Sequence, residues 1–214
     1  MGKMATEVSP LAPKAENTSV SPHFTEKIVE VLRDQLVDVT GRGKYYKGVI
    51  TAQQLVEIAK FLPKEELEDL VNNIPPIKDF AELAKREPST LFLIHVHVGD
   101  CVIVEGMLVP WDKIEFAKTL IRELKERRLN PNMVSPAVEL DTEGRRTFIA
   151  PLIVEIKDDD HEDEWNIGNL ASLGDLTFLV PWHDISSEKE ARLTRRDFEA
   201  LLAKGKVYIR LWWD

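Results

Sequence analysis

Residues 91–105 constrain the fold of this 214-residue chain more than any other segment. Two apolar, strand-like stretches flank the tetrapeptide at positions 98–101, which reads Val-Gly-Asp-Cys. Glycine at the first central position, here Gly99, is what a two-residue type II′ turn requires. The segment therefore predicts a tight β-hairpin in which His95 lies opposite Val104.

This pairing sorts the side chains between two faces, because successive residues of a strand point to opposite sides of a sheet. His95 and His97 fall on one face, whereas Cys101 and Glu105 fall on the other. The pattern thus predicts no Cys–His pair within the hairpin and favours a structural role for both histidines. The neighbours predicted on the histidine face are Val102, Val104 and Leu108.

Two imidazoles on one strand face can also bind a metal ion, which gives the alternative interpretation. Such a site needs at least one more ligand from elsewhere in the chain. His183 follows a predicted strand and is the best candidate, with Asp184 as a further ligand or as its hydrogen-bonding partner. No cofactor is predicted, and a divalent metal at His95, His97, His183 and Asp184 stays open as the alternative.

Composition limits the classes of protein to consider. A hydrophobic content of 43% and a charged content of 30% are typical of a globular domain with a core. The formal net charge of −9 argues against general nucleic-acid binding and against adsorption to anionic membranes. Cys101 is the one cysteine, and no apolar run reaches the roughly 20 residues of a membrane span. A cytoplasmic location is therefore expected.

The order of patterns along the chain predicts an α+β fold. Residues 1–22 are rich in Ser, Pro, Ala and Thr and are expected to form a flexible tail. Residues 23–88 show helical periodicity, including one helix running to about residue 39 and another that begins at a capping box of Thr51 and Gln54, and are expected to form a helical unit. Residues 89–214 mix strand patterns, including those at 146–156 and 176–181, with an amphipathic helix pattern at 111–127. This mixture predicts a mixed, mostly antiparallel sheet with packed helices.

Two charged segments are candidate binding loops. The basic stretch at 41–48 offers Arg42, Lys44 and Lys47 for phosphate contacts, although it lacks the glycine spacing of a P-loop and favours a plain turn between helices. The acidic run at 158–164 lacks the glycine of an EF-hand and is expected to be a solvated loop.

The C-terminal strand at 207–213 offers a candidate surface for a protein partner. Tyr208, Arg210 and Trp212 alternate along one side, and aromatic and arginine side chains are enriched at protein interfaces. The chain has none of the common hydrolase, zinc-protease or dinucleotide motifs. The sequence therefore predicts a non-catalytic interaction or adaptor protein and leaves self-association open, with a metal-dependent enzyme as the alternative.

Overall fold

The computed structural model describes residues 23–70, 73–142, 145–149, 153–158, 161–166 and 192–213. The helices are α1 (Phe24–Val31), α2 (Ala52–Ala59), α3 (Lys64–Glu68), α4 (Ile77–Arg86), α5 (Ile114–Glu126, after a 3₁₀ turn at Trp111–Lys113) and α6 (Arg195–Ala203). The strands are β1 (Leu36–Asp38), β2 (Tyr45–Thr51), β3 (Leu91–His97), β4 (Val102–Pro110), β5 (Met133–Thr142), β6 (Arg145–Ile149), β7 (Ile153–Asp158), β8 (His161–Asn166), β9 (Arg192–Thr194) and β10 (Val207–Trp212).

Seven of these strands form one antiparallel sheet. Their order across the sheet is β1-β2-β3-β4-β10-β5-β6, so the last strand of the chain lies in the middle, between β4 and β5. A smaller sheet has the order β8-β7-β9 and contains one parallel pair, β7 with β9. The fold is therefore α+β with a mostly antiparallel arrangement of strands, as the sequence predicts.

The larger core lies on the face of the seven-stranded sheet that the helices cover, which we call the helical face. Phe80 of α4 contacts the rings of Phe92 and Trp213 edge-on, with centroids 6.1 Å and 5.5 Å away. Trp213 also donates a 2.9 Å hydrogen bond from its indole nitrogen to the carbonyl of Leu129, which follows α5. Apolar residues of α1, α2, α4 and α5 share this core with β3, β4 and β10, so the predicted helical segment and the strands that follow it are packed together.

The opposite face of the sheet, which we call the second face, carries a smaller apolar cluster. Its buried members come from β2, β3, β4, β5, β6 and β10: Val49, Leu91, Leu93, Leu108, Ala137, Phe148 and Tyr208. The polar residues discussed below lie on this second face.

Local sequence signals account well for several helix boundaries. Thr51 and Gln54 form the predicted capping box at the start of α2, with each side chain bonded to the other residue's backbone. Thr194 immediately precedes α6, and Gly205 follows its end with a positive φ of 67°. The amphipathic helix predicted over residues 111–127 is also present as the 3₁₀ turn and α5.

The helical interpretation of residues 23–88 is wrong in one region. Helix α1 ends at Val31, and the chain then enters β1 and β2, which extend the main sheet. The predicted turn at 41–48 is instead a β-hairpin loop whose second half is already strand β2. The apolar spacing of the segment fits a helix, but Leu36 reaches the core from a strand because its backbone pairs with Gly48.

Further along the chain, several observed strand boundaries differ from the predicted ones. Strand β5 was not predicted, and the single strand expected at 146–156 is divided into β6 and β7. The acidic run belongs in large part to strands β7 and β8, which pair Asp158 with His161. The predicted tail at 1–22 and the predicted strand at 176–181 lie outside the described residues.

Among the described residues, no helix combines the length and apolarity needed to cross a bilayer.

Candidate functional site

A β-bulge sets the geometry of the central hairpin. Leu93 pairs with Gly106, as the predicted register requires, but Ile94 pairs with Val104, so that Glu105 has no partner on β3. An extra residue of this kind bends a strand and redirects the side chains that follow it. The register at residues 94–96 is therefore shifted by one position from the predicted one.

The hairpin turn also differs from the two-residue turn that the sequence predicts. The amide of Asp100 donates to the carbonyl of His97 at 3.0 Å, and the amide of His97 donates to the carbonyl of Cys101 at 2.9 Å. Gly99 is the third residue of this turn and has a φ of 82°, which fits the left-handed third position of a type II turn. The loop is one residue longer than expected, which agrees with the bulge on the opposite strand.

These differences reverse the predicted assignment of faces. Glu105 and Cys101 lie on the second face together with His95 and His97, so the exclusion of a Cys–His pair is wrong. Val102 and Val104 belong instead to the core on the helical face, whereas Leu108 lies on the second face as predicted. Because of the bulge, these polar groups of the hairpin lie on one face of the sheet.

Three of these groups form a connected chain. The hydroxyl of Tyr45 is 2.9 Å from Nδ1 of His95, and Nε2 of His95 is 2.8 Å from Oε1 of Glu105. The second contact is a close ion-pair contact without the alignment of a straight hydrogen bond. His95 is 9% exposed. Both ring nitrogens of this buried histidine are therefore already in contact with protein groups.

Neighbouring groups stabilise the negatively charged form of Glu105. Burial raises the pKa of this carboxyl, but the contact with His95 and the positive charges of Lys47 and Arg210 outweigh burial and hold the pKa below its usual value. Burial, followed by the nearby Glu105 and Cys101, raises the pKa of Tyr45. At neutral pH the site therefore contains a carboxylate and a protonated phenol.

A second cluster lies at the tip of the hairpin and consists of His97, Asp100 and Cys101. The ring nitrogen, carboxylate oxygen and sulfur that these residues offer all lie within 4.8 Å of one another. Burial, together with the carboxylates of Asp100, Glu66 and Asp69, raises the pKa of the Cys101 thiol to about 11. The thiol is therefore protonated at neutral pH, which makes it a poor nucleophile. We call this group the hairpin-tip cluster.

The second face is open at the end that carries these groups. Two rows of side chains cross strands β1 to β4 there, and the register places them side by side. One row is Val39, Tyr45, His97 and Cys101, and the other is Val37, Lys47, His95 and Ile103. The next row, which contains Val49 and Leu93, is buried. Val37 and Val39 are 44% and 52% exposed, and they mark the open margin of the face.

The predicted partner surface on the C-terminal strand lies on the same face but not in its open part. Tyr208 and Arg210 are 8% and 4% exposed, and Trp212 is half-buried. The Tyr208 hydroxyl donates to Glu139 at 3.0 Å, and the guanidinium of Arg210 lies 5.3 Å from the ring centre of Trp212. The sequence favours a partly exposed face here, and Trp212 alone of the three residues is partly exposed.

The predicted phosphate-binding loop already holds an internal anion. The carboxylate of Asp38 accepts hydrogen bonds from the amides of Thr40, Gly41 and Gly43 at 2.5–3.0 Å. Backbone amides arranged in this way are the donors that a loop offers to phosphate. Arg42 and Lys44 are exposed on this loop, whereas Lys47 lies on β2 and faces Glu105. The three cations predicted to act together are thus divided between two places.

The predicted metal ligands are only partly brought together. His95 and His97 share a face, but the ring of Tyr45 contacts both, with centroids 5.5 Å and 4.5 Å away. The predicted third and fourth ligands, His183 and Asp184, lie outside the described residues.

No signal within residues 91–105 indicates the bulge. Because residues 23–88 were interpreted as helical, the contact of Tyr45 with the two histidines was not predicted.

Comparison with protein-family models, with curated proteins and with solved structures finds no match. Function is therefore inferred from the residues, distances and charges of the chain itself.

Proposed function

We propose that this chain is a non-catalytic protein-binding module that contacts its partner through the open part of the second face. We call this surface the open sheet face and define it by Val37, Val39, Tyr45, Lys47 and His97. The observation that supports the proposal is the exposure of Val37 and Val39, 44% and 52%, beside the half-buried side chain of Tyr45. Exposed apolar residues that are contiguous, rather than scattered singly, mark interaction sites.

The composition of this face also resembles that of an interface. It combines valine side chains with a tyrosine whose ring is held edge-on against two histidines, so that little side-chain entropy of the tyrosine remains to be lost on binding. Tyrosine is among the residues most enriched where binding energy concentrates. A rigid aromatic group beside exposed aliphatic side chains supports protein binding better than it supports catalysis.

Charge indicates the kind of partner. The whole chain carries a formal net charge of −9, yet Arg42, Lys44 and Lys47 lie on the loop and strand that adjoin Val39 and Tyr45. The open sheet face thus combines exposed valines with neighbouring basic residues on an otherwise acidic protein. We propose a protein partner whose contact segment carries apolar side chains flanked by carboxylates, because complementary charge accelerates and orients association.

The proposal can be tested with matched valine substitutions. Val37→Asp places a charge among the exposed apolar side chains of the surface, and Val31→Asp is the control because Val31 is similarly exposed, at 51%, on helix α1. Immobilised wild-type protein and both variants are compared for captured proteins, and the dissociation constant of each recovered partner is then measured by calorimetry. V37D should weaken binding at least about tenfold, in line with the loss of a central contact, whereas V31D should bind like wild type.

Three results would contradict the proposal. One is the absence of any protein whose capture differs between wild type and V37D. Another is equal loss of binding in V37D and V31D. The third is retention of nucleic acid rather than protein, with an affinity that falls steeply with salt.

The alternative of a metal-dependent enzyme built on His95, His97 and His183 receives less support. Both ring nitrogens of His95 are in contact with Tyr45 and Glu105, so metal binding there would have to break a buried contact. The hairpin-tip cluster offers a different set of ligands.

A further inference from the structure

We propose that the hairpin-tip cluster binds a single zinc ion through the imidazole of His97, the carboxylate of Asp100 and the thiolate of Cys101. One nitrogen, one oxygen and one sulfur are all established zinc ligands, and three protein ligands leave a fourth position for water. This inference does not depend on the proposed protein-binding function.

The distances are close to those that zinc requires. Ligand atoms about 2.0–2.3 Å from a tetrahedral zinc are separated from one another by roughly 3.3–3.8 Å. The donor atoms of the cluster lie within 4.8 Å of one another, so closure needs a movement of at most about 1.5 Å. Asp100 is exposed and His97 is half-buried, with its ring edge-on to that of Tyr45, so the Asp100 side chain can rotate to provide most of this movement.

The backbone of the hairpin tip is held in place by three separate parts of the fold. The amide of Gly99 donates to the hydroxyl of Thr25 in α1 at 2.9 Å, and the amide of Val98 donates to the carbonyl of Lys44 at 2.9 Å. On the other strand, the amide of Val102 donates to Glu66 in α3 at 2.8 Å. A backbone fixed in this way reduces the ordering that a metal would otherwise have to impose.

Electrostatics at the tip favours a cation. Glu66 and Asp69 line a small cavity, of about 50 Å³, that also borders Cys101, and they are close enough to act on the charge of its sulfur. A zinc ion bound by one thiolate, one carboxylate and one neutral imidazole forms a neutral unit, since two negative charges balance the metal. The thiol proton passes to solvent as the Zn–S bond forms.

The test uses the intact chain, stripped of metal by chelation and dialysed against zinc. We expect one zinc per chain by elemental analysis. Cobalt(II) in place of zinc should give a thiolate-to-cobalt charge-transfer band in the near ultraviolet, a readout that needs no variant. Zinc affinity is measured by competition with a chromophoric chelator.

Three conservative variants probe the ligands: Cys101→Ser, His97→Gln and Asp100→Asn. Each should weaken zinc binding at least about tenfold, since even loss of an outer-shell partner typically costs 10–100-fold. Asp34→Asn is the matched control, because Asp34 is exposed and lies in the turn after α1. It should bind zinc like wild type, and thermal melts of all four variants report whether they are folded.

The proposal is overturned if wild-type protein binds no zinc, or if its cobalt form lacks the thiolate band. It is also overturned if C101S and H97Q, folded by their melts, bind zinc as tightly as the D34N control.

Discussion

Glu105 combines an irregular backbone position, the β-bulge, with a largely buried carboxylate side chain. It occupies the β-bulge, its carbonyl accepts a 2.8 Å hydrogen bond from the amide of Trp213, and its carboxylate faces His95. The bond from Trp213 ties the bulge to the end of β10. A carboxylate that is only 20% exposed depends on such partners, because its desolvation is otherwise unfavourable.

Replacing Glu105 with glutamine removes the charge while keeping the shape. We expect the free energy of unfolding to fall by about 1–3 kcal/mol at neutral pH, because Lys47 and Arg210 lose their counter-charge and His95 loses its carboxylate partner. Urea denaturation measures the change. Glu115→Gln is the control, since Glu115 is 77% exposed in its pair with Lys118 and should change stability by about 0.5 kcal/mol or less.

The comparison of wild type with E105Q also predicts a pH dependence with a definite sign. Since the folded-state pKa of Glu105 lies below its ordinary value of 4.5, its charge stabilises the fold fully above that value. The contribution is lost as the pH falls through the lower, folded-state pKa. The stability difference between wild type and E105Q should therefore shrink in acid, and a difference that stays constant would contradict the assigned contacts.

At the scale of elements, strand β1 depends on a close approach that only glycine permits. A Cβ atom on Gly48 would lie 2.2 Å from the backbone carbonyl oxygen of Gln35 and 2.9 Å from a methyl group of Leu36. The backbone at Gln35 leads directly into β1, so it cannot move away without shifting the edge of the sheet. Gly48 thus allows the chain to reverse between α1 and β1.

The substitution Gly48→Ala should therefore destabilise the protein by about 3 kcal/mol, at the upper end of the cost of overpacking. Gly41→Ala provides the comparison, because Gly41 has a positive φ of 65° but no atom within 4 Å of the position that a Cβ would occupy. Its cost should be limited to backbone strain, about 1–2 kcal/mol. Thermal or urea unfolding of both variants tests the contact, and a G48A protein no less stable than G41A would refute it.

The elements that sequence predicted well are those whose signals are local. The capping box of Thr51 and Gln54 lies within four residues, and the apolar stripe of α5 repeats within one helix. Strands β2 and β5 were missed because each pairs with a distant strand: β2 pairs with β3, and β5 pairs with β10. Strand β1 pairs with the nearby β2, and it was missed because residues 24–39 have the apolar spacing of a helix.

The candidate site, like the strands, was predicted correctly only where the sequence signal is local. Sequence placed His95 and His97 on a shared face, and alternation along β3 was enough for that. It misplaced Glu105 and Cys101 because a one-residue shift moves a side chain to the other face. The bulge that causes this shift is fixed by the neighbouring strand β10, whose contact with Glu105 is more than 100 positions away in the chain.

For the whole molecule, the central place of β10 makes the fold depend on its last described residues. β10 pairs along its length with β4 on one side and with β5 on the other. Deletion of residues 207–213 should abolish cooperative unfolding, because the sheet is then divided and the buried Trp213 is lost from the core. Calorimetry and near-ultraviolet circular dichroism measure this directly.

A single substitution at Trp213 serves as the reference for the unfolding of the deletion variant. Trp213→Phe keeps an aromatic ring against Phe80 but leaves the buried carbonyl of Leu129 without its donor. We expect this protein to fold cooperatively with a loss of about 1–3 kcal/mol. A deletion variant that unfolds as cooperatively as W213F would contradict the role assigned to β10.

The zinc proposal requires that His97 and Cys101 share one face of the sheet, and the contact of His95 with Glu105 requires the same of that pair. The register of the β3–β4 hairpin decides both. The most direct measurement is the set of cross-strand nuclear Overhauser effects in isotope-labelled protein. The structure predicts backbone contacts of Ile94 with Val104 and of Val96 with Val102. Contacts of Ile94 with Glu105 and of Val96 with Ile103 would instead show a hairpin without the bulge, and they would contradict the shared face on which the hairpin-tip cluster and the His95–Glu105 contact rest.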